Sequence, residues 1–164
     1  MNRILRTVLL VVAMAIVAPS AAAAATPSAS GTWDDCNFAP IVSTAGPNVV
    51  VTVGITENFQ GVLTGSYVGT ERDVVYVNGS ATFHGSGVFS GTIAGRTGTA
   101  TFRYEGIAPV GAPARATWVL TGLTGGTASA RGQGTFTVGF DGVSDACDAG
   151  LYSGTYRGQI RMAP

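Results

Sequence analysis

Beyond residue 25, apolar and polar positions alternate with period two in nearly every window, and no window carries the period of a helix. "NVVVTVGITENF" (48–59) places Val49, Val51, Val53 and Ile55 on one face. "VLTGSYVGTERDVVYV" (62–77) does the same for Leu63, Gly65 and Tyr67, and "ATFHGSGVFSGTI" (81–93) follows. In "TGTATFRYEG" (97–106), Ala100, Phe102 and Tyr104 oppose Thr101, Arg103 and Glu105. "ARATWVLTG" (114–122) groups Ala116, Trp118 and Leu120. In "TGGTASARGQGTFTVGF" (124–140), Gly132, Gly134, Phe136, Val138 and Phe140 alternate with Arg131, Gln133, Thr135 and Thr137. "LYSGTYRGQIRM" (151–162) sets Tyr152, Tyr156, Ile160 and Met162 against Thr155, Arg157, Gln159 and Arg161.

Roughly seven to nine strands joined by short turns predict an all-β, antiparallel up-and-down β-barrel of about eight strands. Closure removes exposed edges, which matters for so strand-rich a chain. An open β-sandwich is the alternative. Asn78-Gly79 predicts a two-residue hairpin, because both types tolerate positive φ. The sequon Asn78-Gly79-Ser80 is read as that turn rather than as a glycosylation site. The Gly-x-Gly of residues 132–134 predicts a bend or a close backbone approach inside a strand. A phosphate cradle would need a helix start after the glycines, and "TFTVGF" offers none.

The first 25 residues read as a secretory signal. Arg3 and Arg6 precede the apolar "VLLVVAMAIVA", Pro19 breaks it, and small residues offer cleavage among Ala23 to Ala25. The mature part is then one domain, 26–164, with a flexible start at about 26–31. Export exposes Cys36 and Cys147 to oxidising conditions, so the pair predicts a disulfide. Free thiols lack a CxxC spacing, and a metal site lacks further ligands. Without Arg3 and Arg6, seven arginines face nine acidic residues and no lysine. That balance gives no reason to expect nucleic-acid binding. No membrane attachment is expected after signal cleavage.

"FSGTIAGRTGTATFRYEG", "ARATWVLTGLTGGTASARGQGTFTV" and the closing "YSGTYRG" resemble a family of small, largely uncharacterised bacterial proteins related to the allene oxide cyclase barrel. The resemblance spans about 56–162. It runs through Gly95, Arg96, Gly98 and Phe102, then Ala114, Thr117 and Trp118, then Leu120 to Phe136. It implies an eight-stranded antiparallel barrel. The plant cyclase's catalytic residues do not map onto this chain, so no reaction is implied.

The aromatic residues Tyr67, Phe102, Tyr104, Trp118, Phe136, Phe140 and Tyr156 fall mostly on apolar faces. They would either fill the barrel or line a cavity for a small apolar ligand. The ligand-binding set is therefore Tyr67, Phe102, Tyr104, Trp118, Phe136 and Tyr156, with Glu57. Glu57 shares the face of Val53, and Glu71 falls near that of Tyr67. If both faces point inward, the two carboxylates meet near a barrel mouth and their pKa values rise; the alternative is that each lies at a strand end in water. His84 is the one histidine and shares the Thr82/Ser86 face, which reads as solvated. Asp34, Asp35, Asp145 and Asp148 flank the cysteines, so a disulfide would gather them. Calcium takes such oxygen ligands, but the spacing is not that of an EF-hand loop, and no metal or cofactor is expected. Three functions follow from these residues. The first is a secreted barrel binding a small apolar ligand. The second is a cyclase- or isomerase-like enzyme working near Glu57, Glu71 or Tyr104. The third is a cell-surface structural or interaction protein.

Overall fold

A computed structural model describes residues 28–163. The expected signal, 1–25, lies outside the described residues. Eight strands follow in order: β1 (Ser28–Ala45), β2 (Asn48–Gly61), β3 (Leu63–Val75), β4 (Ala81–Ile93), β5 (Arg96–Ala108), β6 (Ala114–Gly125), β7 (Ala130–Gly142) and β8 (Gly150–Met162). No helix occurs among the described residues. Each strand pairs antiparallel with the next, and β1 pairs with β8, so the sheet closes into a barrel. That closure rules out the sandwich.

The closing strand is the one the alternation did not reveal. Residues 28–31, expected as a loose lead, already belong to β1: Ser28 pairs with Gln159 and Ala29 with Gly158. Trp33, Asp35 and Asn37 point inward here, and two polar residues on the inner face mask the period. Beyond a bulge between Phe38 and Ile41, β1 pairs only with β2. There the predicted face of 48–59 weakens. Val53 and Ile55 are buried, whereas Val49 is 39% exposed and its neighbour Val50 is buried instead. The β3–β4 connection also differs from expectation. It spans 76–80 and is closed by the Asn78 side chain, whose Oδ1 accepts from the Ser80 amide (3.0 Å) and hydroxyl (2.7 Å). Gly79 alone of the two predicted turn residues has positive φ.

One end of the barrel is packed shut. Leu63, Ile93, Ala100, Leu120, Ala130 and Ile160 fill it. Tyr156 locks it: its hydroxyl accepts the Leu63 N–H at 2.7 Å and lies 3.3 Å from the carbonyls of Gln60 and Leu63. A buried phenol needs such partners. Above this layer the rings interlock. Phe59 meets Phe89, Phe102 and Tyr156 edge-on, Phe102 stacks on Trp118 at 5.8 Å, and Tyr67 bridges Phe102 and Tyr104.

Inward glycines make room for these rings. A methyl group at Gly134 would collide with the Arg157 carbonyl and with Trp118, and one at Gly158 with the Gln133 carbonyl and Trp118. Tyr104 lies across Gly85, and Tyr67 across Gly69 and Gly87. The Gly132–Gly134 pair is therefore a bed for an aromatic ring and, at Gly134, the expected close backbone approach, against Gly158, rather than a sharp bend, and neither residue adopts positive φ. Gly65 and Gly91, by contrast, sit opposite each other with φ of +147° and +156°, backbone to backbone.

The disulfide forms as expected. Cys36 on β1 bonds to Cys147 in the β7–β8 loop, with Cα atoms 5.1 Å apart. It ties that loop to β1 near the other, open end of the barrel.

Candidate functional site

At the open end a cavity of about 210 Å³ enters the barrel. Alternation delivers its lining. Residues 33, 35 and 37 of β1, Glu57 of β2, Glu71 and Asp73 of β3, and Phe83 of β4 all share the inner face. Tyr104 of β5, Phe136 of β7 and Tyr152 of β8 complete the wall. The register sets the acids side by side. Asp35 pairs with Glu57 across β1–β2, and also with Tyr152 across β1–β8. Glu71 pairs with Gly85, which in turn pairs with Tyr104. Like charges directly opposite on one sheet face are unfavourable. Among the described residues no Arg, Lys or His lines the cavity to offset them.

Burial raises the pKa of all four acids, and repulsion between neighbouring acids adds to it at Asp35, Glu57 and Glu71. Desolvation is the main cause at Asp35, followed by Glu71, and raises its pKa to about 8 despite the opposing Tyr152 backbone amide. Glu57 is driven well above the carboxylate range, first by burial, then by Asp35 and Glu71. Glu71 is raised to about 7 by burial and by Asp73, while Tyr104 and Asn37 pull it back. Asp73 is raised by burial to about 6, and Glu71 and His84 favour its ionised form. Tyr152 is pushed up to about 12 by burial and then by the acids, and Tyr104 is raised for the same reasons.

Several polar atoms of the lining have no hydrogen-bond partner among the described residues: Trp33 Nε1, Asp35 Oδ1, Asn37 Oδ1 and Tyr104 Oη. Glu71 is near enough to Tyr104 and Asn37 to feel both, yet the Tyr104 hydroxyl closes no hydrogen bond of good geometry. A buried polar atom left unpaired costs ~1–3 kcal/mol, so four of them at one cavity are its most telling feature.

The residues expected to contact a ligand divide into two layers. Glu57, Tyr104 and Phe136 line the cavity. Tyr67, Phe102, Trp118 and Tyr156 lie beneath it in the packed interior. Phe140 departs from the apolar face predicted for it: it is 64% exposed, against Tyr152 at 5.3 Å, where β7 bulges at the rim. His84 is exposed on the outer face. There it borders a wide, open depression with Glu105, Arg115 and Arg157. The four aspartates at the cysteines do not gather. Asp35 points into the barrel, Asp34 accepts from Asn58 at 2.9 Å, and Asp148 accepts from the Ala39 amide at 2.9 Å. Among the described residues no group of three or more His, Cys, Asp or Glu side chains is placed to hold a metal ion.

Trp33, Asp35, Asn37 and Asp73 are site residues the sequence reading did not place in the cavity. Asp73 was two positions from Glu71, so the period of β3 put it on the same face. β1 offered only the weak alternation of Trp33, Asp35 and Asn37.

Fold and site together define a closed eight-stranded barrel, packed at one end and open through an acidic, aromatic-walled mouth at the other. The same architecture occurs in the crystal structure of a protein with unknown function from the DUF3224 family of Shewanella oneidensis MR-1. That likeness has a TM-score of 0.62 at 18% sequence identity and covers 85% of this chain and 98% of that one. At this identity the likeness is one of fold. No family model matches the chain, and no curated protein matches it.

Proposed function

We propose that this protein is an exported β-barrel that binds a small molecule in the open mouth. The observation that carries the reading is the cavity whose buried polar atoms lack partners inside the protein. Such atoms are retained where a ligand completes their hydrogen bonds, and a concave, largely apolar wall with a few convergent polar groups is the usual form of a binding site. The rings of Trp33, Phe83, Tyr104, Phe136 and Tyr152 would meet the apolar body of the ligand. Its size is limited: at ~30 Å³ per water, the cavity corresponds to about seven waters, below the range of drug-sized ligands. Export is supported by the Cys36–Cys147 bond together with the signal-like leader. Eight-stranded antiparallel closure supports, as our reading, a distant kinship with allene oxide cyclase-like barrels.

The test is ligand-observed NMR with a fragment set of neutral, cationic and anionic aromatic compounds. It is run against the wild type and against Ala114→Trp, which plugs the mouth. Saturable binding lost in the plugged variant supports the reading. Binding by no fragment, or binding that survives the plug, overturns it.

A second reading has one observation in its favour. Glu71 and Asp73 are adjacent in the cavity with pKa values of about 7 and about 6, the range in which a carboxyl can both give and take a proton. An isomerase would use that pair. Solvent-deuterium incorporation into a bound fragment, abolished in Glu71→Gln, is the measurement that distinguishes it from binding alone.

A further inference from the structure

We propose that the ligand of the barrel mouth is a small organic cation, an amine or quaternary ammonium carried on an apolar body. The inference rests on the binding reading above and names its ligand class. Asp35, Glu57, Glu71 and Asp73 face one cavity from three adjacent strands, and among the described residues no positively charged side chain lines it. A protein that only needed a filled interior would lose nothing by placing apolar residues there, since unpaired buried acids are costly. Acidity alone would not specify a ligand. The second observation is that Asn37 Oδ1 and Asp35 Oδ1 are unpartnered acceptors on side chains only 4% and 7% exposed, and both line this cavity. These two acceptors call for a donor or a cation, while Trp33 Nε1 and the Tyr104 hydroxyl stand in the same wall as unpartnered donors.

The wall favours an organic cation over a metal ion. Trp33, Tyr104, Phe136 and Tyr152 present rings to the same space, and ring faces attract ammonium groups. A metal ion would gain little from rings, and the acids are not grouped for coordination. Burial holds the acids partly protonated when alone. A cation among them favours ionisation, so the charge that binds it is developed on binding.

The experiment compares phenyltrimethylammonium with tert-butylbenzene, which has the same shape without the charge. Calcium chloride and benzoate are titrated in parallel, and binding is followed by intrinsic tryptophan fluorescence and calorimetry. The expected result is about ten-fold tighter binding of the cation than of its neutral isostere. Glu57→Gln and Glu71→Gln should shrink that gap several-fold, while Glu105→Gln, on the outer face, leaves it in place. Both cavity variants mimic a protonated carboxyl, so they are expected to fold. Equal or tighter binding of the isostere or of benzoate overturns the cationic assignment and leaves the binding reading standing. Competition of Ca²⁺ with the ammonium for the same site overturns it in favour of a metal ion. Failure of both aromatic probes to bind overturns it too, and the fragment screen with Ala114→Trp then decides separately whether the mouth binds anything.

Discussion

Replacing Asp35 with Asn is expected to stabilise the protein at alkaline pH and to change little in acid. Asp35 is 7% exposed, and its pKa rises from 3.8 to about 8 on folding. The folded state therefore binds the extra proton throughout the window between those values. By linkage, its contribution is at its best below about pH 4 and declines as pH rises to about 8. Roughly four pKa units at ~1.36 kcal/mol each give about 5 kcal/mol lost across the window. That is an upper figure, because Asp35, Glu57 and Glu71 interact and titrate as a set. Asn keeps the shape and carries no charge, so the variant should lack this decline. Urea unfolding at about pH 4, 6 and 8 measures it, with unchanged m-values confirming a common unfolded reference. Wild-type stability should fall as pH rises, the reverse of ordinary acid denaturation, and the variant should gain ~2–5 kcal/mol over wild type at pH 8. A wild type as stable at pH 8 as at pH 5, or a variant weaker than wild type at pH 8, would refute the buried, protonated Asp35.

Other consequences follow from the packing. Cys36→Ala with Cys147→Ala frees a loop with a sequence separation of 111 residues and should cost about 4–5 kcal/mol in the chain-entropy account, read as a lower urea midpoint. Gly134→Ala forces a methyl into the Arg157 carbonyl and the Trp118 ring and should cost ~1–3 kcal/mol or prevent folding; Gly139→Ala, with its nearest neighbour at 3.5 Å, should stay within ~0.5 kcal/mol in the same thermal melts. Tyr156→Phe removes the acceptor of the Leu63 N–H at the closed end. It should cost ~1–3 kcal/mol and speed hydrogen exchange at the Leu63 amide; native-like protection there would argue against the lock.

Period two alone determined that this chain is a sheet, and short turns between strands determined that neighbours pair. The inner faces of β5, β6 and β8 were legible because apolar Ala100, Phe102, Trp118 and Ile160 alternate with polar residues along single strands, and sidedness in a strand is a local property. The cysteine pair was legible from its even count and the expected export. What the sequence could not determine was which residues meet across strands. Register brings Asp35 beside Glu57 and sets Gly85 between Glu71 and Tyr104, although these residues come from five strands. β1 was hidden because its inner face carries Asp35 and Asn37, and an inward acid looks like a solvated one until closure places it. Phe140 was misplaced for the opposite reason: alternation continues past Val138, beyond which β7 has no β6 partner and pairs with β8 alone. Whether an inner face is buried, and what its charges must answer to, depends on the closed sheet, because desolvation and repulsion arise only when distant strands share one interior.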